Sequence, residues 1–383
     1  MKIVVLTTCH NPNDDRIYYK EILSLLSKYS KVYLIAPVTT GDSYELSKDV
    51  ELRPLSFRRG ILGRLLTVFD AAKEVVRLSP DVCHFHDLDF VIMVPVIRLF
   101  CRAKIVYDSH ELYPESMLTS PNIPQSLRPL AARIVDWLEK ACARYCSLIV
   151  TADTPTSESF FRTGIPTLTL FNYPKLEHFE ANQHPKSEIA DIIAGRRVLI
   201  YQGTMSQDRG LFHMLDGMGI LRGDVPKALL LLVGLNDIKL RVQVDEQIQR
   251  DKLDYYVKII PWVPHSEITT YITLGEIGLV PLQPNPKFIK NIPIKVFEYM
   301  ACGLPILGAD LPPIVYYIGQ SNSGLIYDST DAKAFAKAAK RLLDDRAMRE
   351  LMSKAGRESV ERLWNWGEME KLLLKAYDKL ERA

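Results

Sequence analysis

The stretch Lys290-Asn-Ile-Pro-Ile-Lys-Val-Phe-Glu-Tyr-Met-Ala-Cys-Gly-Leu-Pro-Ile-Leu-Gly concentrates the groups best suited to chemistry. It reads as a loop, a short helix whose end is fixed by Cys302-Gly303, and a buried strand. A loop-to-helix junction presents free backbone N–H groups and the positive end of the helix dipole, which suits a diphosphate. Lys290 and Lys295 add charge there, and Glu298, one turn beyond Lys295, can accept hydrogen bonds from two ribose hydroxyls, since an ionised carboxylate only accepts. The same spacing equally suits an ion pair on the helix surface between Lys295 and Glu298, worth roughly a few tenths of a kcal/mol.

Other reactive groups sit where short apolar runs end. His84, His86 and Asp87 close one run, and His110, followed by Glu111 and Glu115, closes the next. The loop Cys9-His-Asn-Pro-Asn-Asp-Asp-Arg-Ile follows the first run; Asn11, Asn13 and Asp14 serve either a ligand or the turns of the loop itself, and Asp14 or Asp15 is expected to cap the following helix. Arg58, Arg59 and Arg64 flank Ile61, Leu62, Leu65 and Leu66, a pairing that suits either an anionic membrane surface or an amphipathic helix facing its own core. Cys142 and Cys146 stand one helical turn apart with no second pair at zinc spacing, so they read as helix cysteines.

Elements with a clear rhythm must hold these groups. Apolar strands at Ile3, Lys31, Asp81, Lys104 and Leu148 alternate with helices over about 15–29, 62–78, 90–101 and 129–145. Continuous apolar strands separated by helices predict a parallel sheet covered on both faces. After Phe171-Asn-Tyr-Pro comes a polar stretch, Lys175 to Arg196, then a second series beginning at Val198, Ala228, Val257, Ile277 and Pro305. The expected fold is therefore α/β, with two Rossmann-like doubly wound domains and ligands beyond the carboxyl ends of the strands, in an interdomain cleft. Asp331 to Ala383 reads as two or three amphipathic helices carrying Trp364 and Trp366.

Length and composition agree. A chain of 383 residues exceeds what one core usually organises. A formal charge of +2 gives no global field for nucleic acid, so no nucleic-acid partner is expected. The six scattered cysteines suit a reducing compartment. The opening lacks the regions of a signal peptide, and the most apolar stretch, Phe90 to Phe100, is too short to span a bilayer. A cytoplasmic location, with peripheral contact at the inner face of the membrane as the variant, is the expectation.

The segment 290–308 resembles the nucleotide-sugar signature of glycosyltransferase family 4, retaining enzymes of the GT-B fold. The resemblance extends over nearly the whole chain through Gly-Thr-Met-Ser-Gln-Asp-Arg-Gly (203–210), Tyr-Asp-Ser-His-Glu-Leu-Tyr-Pro-Glu (107–115) and His-Phe-His-Asp (84–87). It implies an acceptor-binding domain over 1–174, a nucleotide-sugar domain over 175–365, and a last helix, 366–383, that crosses back to the first domain. In the family's E-x7-E pattern the second glutamate holds the donor ribose, and Glu298 matches it; at the first stands Lys290, with Asn291 beside it as a stand-in. The family's Arg and Lys on the loop after the first strand of the second domain fall on Thr204 and Arg209, so one cation is kept, close to Gly203. Arg grips two phosphate oxygens at once, which makes Arg209 competent there, and Lys290 or Lys295 is expected to supply the missing partner. His110 matches the histidine facing the reacting sugar, and Asn11, Asp14, His86, Asp87 and Glu111 are the acceptor-side candidates. The family's usual Gly-Gly pair in the first loop is absent.

The resemblance implies transfer of a sugar, with retention, from a nucleotide-sugar donor to a hydroxyl of a glycan or lipid-linked acceptor, in surface polysaccharide or glycoconjugate synthesis. Asp87-Leu-Asp89 looks superficially like the metal clamp of the other major glycosyltransferase fold, yet GT-B enzymes stabilise the diphosphate with cations and helix dipoles, so no metal and no other cofactor is expected. Two alternatives remain open: a nucleotide-sugar 2-epimerase of the same architecture, and a non-catalytic nucleotide-sugar-binding protein, the latter motivated by Lys290 and Thr204.

Overall fold

Short apolar runs build two sheets in the computed structural model, which describes residues 1–39, 44–56, 58, 60–179, 187–264 and 267–382. The first sheet contains β1 (Ile3–Leu6), β2 (Val32–Val38), β3 (Val50–Ser56), β4 (Val82–Phe85), β5 (Lys104–Ser109), β6 (Leu148–Thr151) and β7 (Thr167–Thr169). Their order is β3-β2-β1-β4-β5-β6-β7, and every pairing is parallel. The second contains β8 (Arg197–Gln202), β9 (Ala228–Val233), β10 (Val257–Ile260), β11 (Ile277–Val280), β12 (Ile306–Ala309) and β13 (Gly324–Tyr327), in the order β10-β9-β8-β11-β12-β13, again all parallel. Strands such as β1 and β9 are buried along their whole length, which is why they read as unbroken apolar runs.

Two compact units result. Unit 1 is Met1–Asn172 together with the segment from Trp366 onward, and unit 2 is Tyr173–Asn365. In each, strand order reverses beside the first strand, between β1 and β4 in unit 1 and between β8 and β11 in unit 2. Side chains and loops at the carboxyl ends of these strands therefore border a crevice suited to a ligand.

The last helix, Trp366–Arg382, packs on unit 1: Trp366 Nε1 donates to Ser24 Oγ (2.8 Å), Ser24 Oγ donates to Glu370 Oε2 (2.6 Å), and Tyr377 Oη lies 2.8 Å from His84 Nδ1. Helices Ala332–Asp344 and Arg346–Arg362 precede it, capped by Asp331 and Asp345.

Strands β3, β7 and β13 add to those expected, and three helical details also differ from the sequence expectation. The first helix is a π-helix over Asp15–Ile22 and turns α only at Leu23–Leu26. The one expected over 90–101 begins as 3₁₀ (Leu88–Met93) and becomes α over Val94–Phe100. The polar stretch 175–196 contains a helix at Ser187–Ile193, and its residues 180–186 lie outside the described ones.

Candidate active site

In unit 2 the crevice is floored by the ends of β8 and β11. Gln202 ends β8 and donates from Nε2 to Glu298 Oε2, which rises from the helix Lys295–Ala301. Glu298 is buried yet not sealed, at 8% exposure. Gly203 follows with φ +95°, and a β carbon there would lie 3.3 Å from Lys295 Nζ. That ammonium sits 5.0 Å above the ring of Tyr201, whose hydroxyl donates to the carbonyl of Thr204 (2.9 Å). Beyond it, Ser206 caps a turn at Gln207–Arg209, and Gly210 takes φ +77° so closely against β11 that a β carbon would lie 2.0 Å from the Pro281 carbonyl. The Gln283 N–H donates to the Asp208 carbonyl (2.9 Å), which ties the two loops together. Arg209 lies with its guanidinium 5.5 Å from the Phe288 ring. The chain then turns about Asn285, whose Oδ1 accepts from the Lys287 and Phe288 amides, and reaches Asn291, whose buried Oδ1 has no hydrogen-bond partner. Cations, open backbone and an oriented carboxylate thus converge on one strand-end crevice.

In unit 1 the corresponding crevice is a cavity of about 600 Å³. Its polar wall comes from Cys9, His10, Asp87, Asp89, His110 and Glu111; its apolar wall from Leu65, Val68, Ile92, Met117, Val135 and Leu138. Asp87 Oδ2 accepts from Thr7 Oγ1 (2.7 Å) and the Thr8 amide (2.6 Å). Asp89 accepts from Thr8 Oγ1 (2.6 Å) and pairs with Arg64 (3.3 Å). His10 lies between Asp14 (3.2 Å) and Asp87 (3.6 Å), with its ring edge-on to His110 at 5.2 Å. The hydrogen bond to Asp14 raises the pKa of His10, whereas burial lowers that of His110 and keeps its imidazole neutral. Burial, with Asp87 and Asp89 nearby, pushes the Cys9 thiol up to about 12, so it is no nucleophile at neutral pH.

Beneath this cavity lies a fully buried charged cluster. Arg16 bridges Asp108 (2.8 Å) and Glu21 (3.1 Å), while His84 and His86 each approach Glu21 at 3.6 Å. The π-helix brings Arg16 and Glu21 together, because its i→i+5 register places residues five apart on one side. His84, His86, Glu21 and Asp108 also have the composition of a metal site, with ligand atoms within 4.8 Å of one another. The Arg16 guanidinium already occupies the space between the carboxylates and balances them. Burial and the nearby Asp108 push Glu21 well above its ordinary value; for Asp108, burial acts upward, but Arg16 together with His86, His110 and the hydrogen bond with Glu21 outweighs it and holds the carboxyl low.

Comparison with known proteins bears on unit 2 first. Residues 183–359 match the family model described as glycosyl transferases group 1. The match falls wholly within unit 2 and takes in both the loop after β8 and the helix that carries Glu298. The chain is 22% identical over 247 residues to spore coat protein SA of Bacillus subtilis, an alignment covering 61% of this chain, and 27% identical over 162 residues to the amylovoran biosynthesis glycosyltransferase AmsK of Erwinia amylovora, covering 42%. It spans 63% and 39% of the length of those relatives. Among solved structures it resembles Anabaena HepE in complex with UDP-glucose, with a TM-score of 0.74 and 14% identity over 99% of this chain and 100% of that one. The fold is GT-B, with two Rossmann-like parallel sheets.

Within unit 2 the structure brings Gly203, Lys295 and Glu298 together at the end of β8 and sets Arg209 on the loop that follows. Thr204 and Lys290 are exposed. Sequence reasoning missed Gln202, Tyr201 and Phe288; a polar residue ending an apolar strand was the available signal for Gln202. In unit 1, His110, Glu111 and Asp87 line the cavity. His86 is a correction: its side chain is fully buried against Glu21 and Asp108 and cannot touch an acceptor. Asp14 caps the π-helix by accepting from the Arg16 and Ile17 amides, and Asn11 is exposed, with its carbonyl closing the same turn. Arg16, Glu21, Asp108 and His10 were missed, because no spacing in a regular helix or strand unites them. Arg58 pairs with Asp70 (2.8 Å), and Arg59 lies outside the described residues.

Proposed function

We propose that the protein transfers a sugar from a nucleotide-sugar donor to an acceptor hydroxyl. The observation that carries this reading is the crevice at the ends of β8 and β11, where Glu298 is oriented by Gln202 and Lys295 stands beside the open backbone of Gly203. Glu298 accepts the ribose hydroxyls. Gly203 lets the diphosphate approach the backbone, and Lys295 and Arg209 neutralise it, with Asn291 and Lys290 on the sugar side. The bond between the anomeric carbon and the diphosphate oxygen breaks, a bond to the acceptor oxygen forms, and the acceptor's hydroxyl proton passes to the departing diphosphate oxygen. Charge builds on the departing diphosphate, so fixed cations there lower the barrier most.

Three finer statements belong to this proposal. Configuration is retained, no metal is needed because side-chain cations do its work, and the acceptor is a glycan or lipid-linked hydroxyl met on the cytoplasmic side, His110, Glu111 and Asp87 being its contacts in unit 1. The likeness to AmsK supports a role in polysaccharide synthesis. Thr204 and Lys290, where the resembled family carries Arg and Glu, favour a second reading, binding without transfer.

The test is a thermal-shift screen of UDP, GDP, ADP and dTDP with their sugars, in EDTA and then with excess Mg²⁺. One nucleotide is expected to raise Tm equally in both, and its sugar to be consumed only with an acceptor. Consumption without acceptor points to an epimerase, a shift without turnover over a broad acceptor panel to a binding protein, and no shift with any nucleotide overturns the proposal.

A further inference from the structure

Unit 1 carries an apolar surface that its own core does not use. The helix Gly60–Leu78 buries Val68, Ala71, Ala72 and Val75 in the core, yet Leu62, Leu65, Leu66 and Phe69 form a second stripe, each at least half exposed and Leu62 at 78%. Spacings of three and four residues keep that stripe on one side of the helix. The helix Val94–Phe100 repeats the pattern with Val96, Leu99 (80%) and Phe100, and Arg128–Ala143 with Leu130, Ile134 and Trp137 (68%). These helices touch one another directly or through the turn Leu88–Met93. Exposed apolar surface this extensive marks a contact with something outside the unit.

Charge identifies the contact. Every acid on the three helices has a partner within unit 1: Asp70 with Arg58, Glu74 with Arg77, Asp136 with Lys140, and Glu139 with the Tyr107 hydroxyl, Asp70 and Asp136 being partly exposed. On or beside the same helices, Lys73, Arg98, Arg102, Arg133 and Arg144 are exposed. Apolar stripes among outward cations fit an anionic lipid surface, with the basic groups at headgroup level and Trp137 at the interface. A second copy of the chain would bring two basic faces together, which is repulsive.

We propose that this three-helix face of unit 1 docks on an anionic bilayer, independently of the chemistry proposed for unit 2. Leu65 and Ile92 belong both to the exposed surface and to the wall of the 600 Å³ cavity, so docking brings the cavity rim to the lipid.

The experiment is flotation of the full chain with phosphatidylcholine vesicles, with and without phosphatidylglycerol, at low and high salt. Partition onto the anionic vesicles is expected, weaker at high salt as charges are screened. The triple variant Leu62→Glu, Leu66→Glu, Phe69→Glu should reduce partition at least tenfold with an unchanged melting curve. A second measurement covers a variant that folds poorly: in wild type, but not in Trp137→Phe, tryptophan emission should shift blue on adding anionic vesicles. No partition onto either vesicle, or partition without a Trp137-dependent shift, overturns the proposal. So does a dimer that stays off vesicles and is split by Arg133→Glu or the triple variant, since a second copy then covers the face.

Discussion

The two units share the order of their first six strands and furnish it in opposite ways. Unit 2 ends its central strands in glycines at positive φ, with cations and one oriented carboxylate around them. Unit 1 ends its own in bulky titratable side chains above a buried charged cluster, beside a cavity with a largely apolar wall. Open backbone suits a ligand recognised by charge and close approach, such as a diphosphate. A cavity with a neutral imidazole and an apolar wall suits a ligand recognised by shape. One architecture thus supports two kinds of recognition because the strand ends, not the strands, are varied.

Substitutions that break this contrast should have graded effects. The largest is expected for Arg209→Ala, which removes a cation from the proposed leaving group: turnover should fall about a hundredfold or more, with a much smaller change in nucleotide affinity. Unchanged turnover in steady-state kinetics would refute that role. Next is Gly210→Ala, which adds a β carbon at positive φ against the Pro281 carbonyl; unit 2 should lose about 2 kcal/mol or more, read from urea midpoints. Glu298→Gln should weaken nucleotide binding about tenfold by calorimetry and leave the melting temperature nearly unchanged.

A separate expectation is a pH dependence concentrated in unit 1, which holds three histidines lowered by burial against His213 in unit 2. Burial holds His84 neutral down to about 4 and lowers His86 and His110 as well, whereas in the unfolded chain histidine titrates near 6.5. As pH falls from about 6.5 toward 4 the unfolded state binds the extra protons, so stability falls, with a slope of about 1.4 kcal/mol per pH unit for each histidine. His10 has the opposite sign: its contribution is complete below about 6.5 and is lost as pH rises through its raised value. Amide exchange in β4 should follow the acid trend more steeply than exchange in β9.

Legibility in the sequence followed the same division. The central strands could be read because burial on both faces makes them continuous apolar runs. Strands β3, β7 and β13 could not: β3 is an edge strand containing Glu51, Arg53 and Pro54, β7 has three residues, and β13 opens with Gly324. The crevice of unit 2 was legible because most of its groups lie in two short stretches, 203–210 and 290–298. The cluster of unit 1 draws Arg16, Glu21, His84, Asp108 and Tyr377 from distant segments, and an α-helix would have turned Arg16 and Glu21 apart.

The helix Trp366–Arg382 adds a consequence for synthesis. Trp366 and Tyr377 complete unit 1, yet they are made only after the whole of unit 2. At ribosomal speeds that is a delay of roughly ten to forty seconds, during which the first 172 residues wait without their last helix. The part of the chain that emerges first is therefore the last to finish folding, and until then the site on Ser24 and His84 stands open to a chaperone.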